Sequence, residues 1–153
     1  MTRKIDNIDT KILDLLQQDA TLSVDEISDR AGLSRNACWR RIKVMEQTGV
    51  IAARVALLDA VKIGCPLHVL VMIRTHSHDA NWLDTFHRTV RAMPEVVSAY
   101  RMTGDLDYVL RVRVADVPAY DAFYKHLTSR ISLSDVSASF VMEEIKETTA
   151  LPL

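Results

Sequence analysis

Cysteine and long apolar segments are scarce in this sequence. Only two cysteines, Cys38 and Cys65, occur among 153 residues, which is too few for a disulfide framework and lacks the spacing of a metal site. The N-terminal stretch MTRKIDNIDTKILD has no apolar signal segment, and no apolar run is long enough to span a membrane. These absences argue against a disulfide-rich secreted protein and a helical membrane protein, and they predict a cytoplasmic location.

Signatures of catalysis are also missing. The sequence has no nucleophile elbow, no phosphate-binding loop and no H-E-x-x-H motif. His76, His78 and Asp79 could seed a metal site, but a polar run between a strand and a helix is usually only a loop. We therefore predict a protein that is not an enzyme and that holds no metal and no cofactor.

Charge is segregated along the chain, although the net charge is only −1. Residues 1–33 carry four basic and seven acidic side chains, a balance of −3. Residues 34–54 carry five basic side chains and only Glu46 as an acid, a balance of +4. Local segregation of this kind indicates a surface for an anionic partner.

The first 50 residues have the pattern of three short helices. Ser23 and Glu26 form a capping box for the second helix, which ends at Gly32. Ser34 caps the third helix, and Gly49 suits the left-handed position after its end. Two helices joined by a short turn that contains glycine are typical of a helix-turn-helix.

The third helix separates into a buried stripe and a polar face when its residues are projected at about 100° each. Cys38, Ile42 and Met45 form the buried stripe. The polar side chains can hydrogen-bond base edges and phosphates, although any surface helix needs a polar face. Arg41 lies nearer the buried stripe, where it can pair with an acid of the first two helices instead of DNA. The predicted DNA-binding residues are Ser34, Arg35, Asn36, Trp39, Arg40 and Lys43.

The remaining chain predicts a second, α+β domain. Residues 50–58 have the pattern of a short strand, and 59–66 read as a hinge because Gly64 and Pro66 break regular structure. Beyond the hinge the order is β-α-β-β-α-β, which is the ferredoxin-like arrangement. Its predicted strands are 67–74, 96–103, 107–114 and 137–146, and its helices are 80–92 and 117–131.

Helices cover only one face of a ferredoxin-like sheet, so the other face needs a cover of its own. Leu70 and Met72 on the first strand lie on that second face. The simplest cover is the same sheet of a second copy, so we predict an isologous homodimer.

These segments resemble the Lrp/AsnC family of transcription regulators. AGLSRNACWRRIKVMEQTGVI is similar to the family's helix-turn-helix, and MPEV, RMTGDLDYVLRV and SDVSASFVMEEIK are similar to its ligand-sensing RAM domain. The resemblance implies a winged helix-turn-helix over 1–58, a hinge over 59–66 and an effector and oligomerisation domain over 67–153. It further implies binding to double-stranded promoter DNA at the nucleoid, and dimers that assemble to tetramers or octamers.

The resemblance also gives a function to the turn around Gly104, which the residues alone present as an ordinary β-turn. The family binds a small amino-acid effector at this motif, between dimers. MEEIKETTALPL and VALLDAVKIG resemble a subgroup of activators thought to sense cysteine, but the chemistry of the residues does not separate cysteine from methionine or leucine. The matching effector positions are Met102, Thr103, Gly104, Asp105 and Asp107, and Phe140 and Val141 of the last strand are expected as wall residues of the pocket.

One alternative shares both the helix-turn-helix and the oligomer. An architectural DNA-binding protein without effector sensing predicts that no amino acid changes thermal stability, whereas a sensor predicts a melting temperature that rises with ligand concentration.

Overall fold

The computed structural model describes residues 4–77 and 79–153, which divide into two compact units. The first unit runs to Leu57 and also includes Lys146–Leu153, and the second unit is Leu58–Ile145. The predicted combination of an N-terminal helix-turn-helix with a ferredoxin-like α+β domain is confirmed.

The first unit contains three helices among its described residues: α1 (Asn7–Gln18), α2 (Val24–Ala31) and α3 (Arg35–Gln47). The predicted capping box of α2 is present, because Ser23 Oγ accepts from the Glu26 N–H while Glu26 accepts from the Ser23 N–H. Gly32 ends α2 with φ of 70°, a left-handed conformation that glycine adopts without steric cost. This turn brings α3 across α2 and completes the helix-turn-helix.

The core of the first unit is a small apolar cluster in which all three helices take part. Cys38, Ile42 and Met45 form the buried stripe of α3, as predicted. Burial also raises the pKa of the Cys38 thiol, which keeps the group protonated and apolar. The other buried members are Ile12, Leu16, Ile27 and Ala31.

The C-terminal residues of the chain pair with α1 in the same unit. The side-chain amide of Gln17 donates to the Leu151 carbonyl at 2.9 Å and accepts from the Leu151 N–H, also at 2.9 Å. A side chain thus satisfies both backbone groups of one residue and fixes the end of the chain beside the first helix.

The strand predicted over residues 50–58 is wrong, since these described residues contain no strand. A strand needs a neighbouring strand for its backbone hydrogen bonds, and the described part of the first unit contains only helices and irregular chain. Val55, Leu57 and Leu58 are therefore exposed.

The second unit has the order β1 (Leu67–Arg74), α4 (Ala80–Ala92), β2 (Val96–Arg101), β3 (Tyr108–Val114), α5 (Val117–Arg130) and β4 (Asp135–Phe140). The four strands form one antiparallel sheet in the spatial order β2-β3-β1-β4. The predicted ferredoxin-like arrangement is confirmed.

One face of this sheet packs against both helices. Its core joins alternate residues of β1 and β3 to α4 and α5. The ring centroids of Phe86 and Tyr108 lie 4.3 Å apart in this core. Leu70 and Met72 lie on the other face because side chains alternate along a strand. No helix of the second unit packs on that face in the described residues.

The last strand is shorter than predicted and lies further toward the N-terminus, at Asp135–Phe140 instead of 137–146. Val141 still donates its N–H to the His68 carbonyl at 2.9 Å. Beyond that point the neighbouring strand β1 ends, and Pro66 has no N–H to continue the ladder. The chain is held instead by Glu144, which bonds His68 Nδ1 at 2.7 Å and also pairs with Arg113.

Candidate DNA-binding and effector sites

Helix α3 is held in place by an N-terminal cap and by its buried stripe, and these fix the direction of its polar face. Ser34 Oγ accepts from the Ala37 N–H at 3.3 Å and caps the helix. Its side chain is thus committed to the cap, and its backbone marks the start of the face. The buried stripe at Cys38, Ile42 and Met45 holds the opposite side of the helix in the core.

Two of the predicted DNA-binding cations are paired with acids of the same unit. Arg35 Nε lies 3.0 Å from Asp25 Oδ1, and Lys43 Nζ lies 2.8 Å from Glu46 Oε2. Arg54 binds the second oxygen of Glu46 at 3.2 Å. The hydrogen bond from Lys43, followed by the charges of Lys43 and Arg54, lowers the pKa of Glu46. These exposed pairs leave both cations near the surface, where a phosphate can compete for them.

Arg41 is paired inside its own unit, and the expectation that it joins an acid of the first two helices is confirmed. Its Nη1 lies 2.8 Å from Asp6 Oδ2 and 2.7 Å from Asp9 Oδ1. Asp9 is 0% exposed, so this guanidinium neutralises a buried carboxylate. The Asp9 backbone N–H and then Arg41 lower the pKa of Asp6.

Arg40 differs from the other cations of α3. It is exposed, and within residues 4–77 and 79–153 it has no ion pair. Asn36 is exposed on the same helix, and Trp39 leaves 51% of its surface in water. A guanidinium, an amide and an aromatic ring together can hydrogen-bond base edges and pack on the sugar-phosphate backbone.

The predicted effector turn joins β2 to β3 and is closed by backbone hydrogen bonds. The Met102 N–H donates to the Asp107 carbonyl at 2.8 Å, and the Asp107 N–H donates to the Ile73 carbonyl at 3.0 Å. Gly104 has φ of 101°, which makes it the position of the turn that requires glycine. Met102, Thr103 and Asp105 are exposed.

The two carboxylates of this turn, Asp105 and Asp107, have different roles. Asp107 accepts from the Thr75 N–H at 2.8 Å, so it fastens the turn to the chain that follows β1. Asp105 is exposed, and its backbone carbonyl accepts from Arg74 Nε at 2.9 Å. Asp105 is therefore the carboxylate of the two that projects from the surface.

Arg74, Thr75 and Asp135 complete this end of the sheet and were not among the residues predicted from the sequence. Arg74 Nη1 lies 2.7 Å from Asp135 Oδ2, which joins the start of β4 to the effector turn. Arg74 ends a strand whose only other polar side chain is His68, and this is the signal that could have identified Arg74.

Phe140 and Val141 do not lie beside the effector turn within one chain. Phe140 pairs with Val69 near the start of β1, whereas Asp107 binds at Ile73 and Thr75 near its end. The four residue steps of β1 from Val69 to Ile73 separate the two places by roughly 13 Å. Phe140 packs edge-on against Tyr120 at 5.5 Å. Within one chain the two groups therefore lie at opposite ends of β1.

The polar run considered as a metal site has a structural use. Asp79 caps α4 by accepting from the Trp82 N–H at 2.9 Å and also accepts from Ser77 Oγ at 2.6 Å. Those bonds, Ser77 first, lower the pKa of Asp79. His76 is exposed, and His78 lies outside the described residues.

Comparison with known proteins decides the family. Residues 68–151 match the model of the Lrp/AsnC ligand binding domain, and residues 5–52 match a winged helix-turn-helix DNA-binding model. The chain belongs to the Lrp/AsnC family. It is a transcription regulator with a DNA-binding helix-turn-helix and a ligand-binding domain.

Lrp/AsnC relatives match along the whole chain. The glutamate uptake regulatory protein of Zymomonas mobilis is 54% identical over 153 residues, which covers 100% of this chain and 93% of that protein. The DNA-binding transcriptional activator DecR of Escherichia coli is 47% identical over 150 residues, covering 97% and 99%.

Solved Lrp/AsnC structures share the fold. An AsnC family regulator from Agrobacterium tumefaciens has a TM-score of 0.93 at 54% identity and 96% coverage of both chains. A Neisseria meningitidis regulator, solved as a complex with L-Met, has a TM-score of 0.93 at 34% identity and 97% coverage of both chains. Within the described residues of this Lrp/AsnC chain, no helix is long and apolar enough to cross a membrane.

Proposed function

We propose that this Lrp/AsnC regulator reads promoter DNA with α3 and that Arg40 is its principal base-reading side chain. The observation that carries the proposal is the contrast between Arg40, exposed and without an ion pair among the described residues, and its paired neighbours Arg35, Arg41 and Lys43. A free guanidinium reaches a guanine edge without first breaking a bond inside the protein.

The other predicted contacts have supporting roles. Asn36 suits an adenine edge, and Trp39 packs against the backbone of the duplex. Arg35 and Lys43 exchange their carboxylate partners for phosphates, while Ser34 fixes the start of the helix. A protein with this function works at the nucleoid, in the cytoplasm.

The DNA test compares Arg40→Ala with Arg30→Ala, an exposed arginine of α2 outside the predicted contacts. Arg40→Ala is expected to weaken specific binding by about 1–3 kcal/mol and to relax the base preference at one position. Fluorescence anisotropy on operator and scrambled duplexes at several salt concentrations measures both effects. Equal losses on operator and scrambled DNA would reduce Arg40 to a phosphate contact.

We propose further that a small amino acid binds at the turn of residues 102–107 between dimers and thereby couples ligand to assembly. Asp105 supplies a carboxylate for the ligand ammonium, and backbone N–H groups around Gly104 receive the ligand carboxylate. Phe140 and Val141 contribute from another copy of the chain, which agrees with their distance from the turn within one subunit. The L-Met complex of the Neisseria relative supports an amino acid as the class of ligand.

The effector test is a thermal-shift screen of the twenty amino acids on wild type and on Asp105→Asn. A sensing regulator gives a melting temperature that rises with the concentration of one or a few amino acids, by about 2.7 kcal/mol of added stability at a ligand concentration of 100 Kd. Asp105→Asn should lose the shift and keep its basal stability. No shift with any amino acid would favour the architectural alternative.

A further inference from the structure

A groove of about 180 Å³ lies between α4 and β2 in the second unit, outside every position assigned to DNA or effector. Phe86 and Val90 of α4, with Ala99 of β2 and Tyr108 of β3, supply its apolar lining. Ala99 pairs with Leu110, on the sheet face that α4 covers. Because the alanine side chain is small, it leaves space between α4 and the edge strand β2.

Apart from the hydroxyls of Tyr100 and Tyr108, the polar side chains of this groove are all basic. Arg91, Arg101 and His87 line it, and none of its eight lining residues carries a carboxylate. The strand register sets Arg101 opposite Tyr108, so Arg101 lies on the same sheet face as the groove. In the part of the chain that the structure describes, neither Arg91 nor Arg101 has an ion pair, although other arginines of this unit, such as Arg88, do.

We propose that this groove binds a small organic carboxylate that has an apolar body and no ammonium group, the chemical class of a branched or aromatic 2-oxo acid. Two unpaired guanidinium groups suit one carboxylate, which accepts paired N–H bonds from arginine. The apolar lining suits a hydrocarbon body and gives nothing to a bare inorganic anion. An amino acid fits poorly, because its ammonium would find no carboxylate there.

The volume supports the same class. A cavity of about 180 Å³ is smaller than the roughly 300–1,000 Å³ of common ligand pockets, which favours a ligand as small as a branched or aromatic 2-oxo acid. Arg101 is the last residue of β2 and directly precedes Met102 of the effector turn. An occupant that orders Arg101 therefore acts on the turn from its β2 side and gives the regulator a second chemical input.

The test uses two ligands that differ at one carbon. Isothermal titration of the full chain compares 4-methyl-2-oxopentanoate with leucine, which carries an ammonium where the first has an oxo group. Inorganic phosphate and 2-oxoglutarate serve as probes of charge without an apolar body. We expect 4-methyl-2-oxopentanoate to bind more tightly than both charge probes, and any leucine signal to come from a different site.

Variants locate the binding. Arg91→Gln and Arg101→Gln should each weaken binding of 4-methyl-2-oxopentanoate by about tenfold or more while leaving any leucine signal and the melting temperature close to wild type. Arg130→Gln, an exposed arginine of a different groove, is the matched control and should bind normally. Asp105→Asn should also bind the 2-oxo acid normally, which separates this groove from the effector turn.

Two results would overturn the proposal. If phosphate or 2-oxoglutarate binds as tightly as 4-methyl-2-oxopentanoate, the arginines form only a general anion surface. If the 2-oxo acid fails to bind, or binds equally well to wild type and to both glutamine variants, the groove is not its site.

Discussion

At the scale of single residues, Arg40 and Arg41 are adjacent and identical in type, yet they have opposite surroundings. One residue step turns the helix by about 100°, which takes Arg41 from the open face to Asp6 and Asp9. Angular sorting of the sequence was enough to separate the two arginines. It did not identify the partners of Arg35 and Lys43. Asp25, the partner of Arg35, belongs to another helix, and Glu46 lies within reach of both Lys43 and Arg54.

The pairing of Arg41 predicts a stability defect and not a reading defect. Arg41→Leu leaves the buried Asp9 without its 2.7 Å guanidinium partner, and losing a hydrogen bond to a charged group costs about 1.5–3 kcal/mol. Chemical denaturation should therefore show a lower free energy of unfolding. Base preference, measured on operator variants at a temperature where both proteins are folded, should match wild type. A changed preference would place Arg41 on the DNA.

At the scale of elements, the helices were predictable because their signals are local. Ser23, Gly32 and Ser34 mark helix ends within a few residues, and the structure has caps at these positions. Strand ends depend on a neighbour that sequence spacing does not reveal. The segment 50–58 has a strand-like pattern without a partner strand, and β4 stops where β1 and Pro66 stop supplying hydrogen bonds.

Carboxylates that cap helices and turns make the helix-turn-helix sensitive to acid. Hydrogen bonds from the Ser23 backbone and then its hydroxyl lower the pKa of Glu26, and bonds from Thr21 lower that of Asp19. The ordinary pKa is 4.5 for Glu26 and 3.8 for Asp19. Because the folded-state pKa is lower, each carboxylate adds its full stability when the pH is above the ordinary value. That stability is lost as the pH falls through the lowered pKa.

We therefore expect Glu26→Gln to melt at a lower temperature than wild type near neutral pH, with a difference that shrinks in acid. Glutamine keeps the reach of the side chain but has no charge to lose. Thermal melts followed by helical circular dichroism across the acid range measure this, with Asp29→Asn, an exposed acid of α2 outside the capping box, as the control. If the difference in melting temperature between Glu26→Gln and wild type stayed constant with pH, the loss of stability would come from the shape of the side chain and not from its charge.

At the scale of the whole molecule, the sheet of the second unit has one face packed by helices and another that carries Leu70 and Met72. Alternation along β1 was sufficient to predict which residues lie on each face. The sequence did not indicate that the last residues of the chain belong with the first unit. That pairing depends on Gln17 and Leu151, which are 134 positions apart and have no local pattern.

The predicted dimer places this open face against its own copy, so a single substitution acts twice in an isologous interface. Leu70→Asp should shift the protein toward monomer, because each copy would bury a carboxylate without a partner. Analytical ultracentrifugation measures the change. Val117→Asp, an exposed apolar position at the start of α5, makes the same chemical change away from the open face and should remain oligomeric. Monomer formation by both variants would point to general destabilisation.

The pairing of Gln17 with Leu151 also determines when the first unit can complete its contacts during synthesis. Domains generally fold as they leave the ribosome, N-terminal parts first, and α1, α2 and α3 are made within the first third of the chain. Leu151 lies 134 positions after Gln17, so it is synthesised only after the whole of the second unit. The helix-turn-helix therefore acquires this contact only after the second unit has been made, and a nascent chain that is still shorter carries a DNA-binding unit without the segment of residues 146–153.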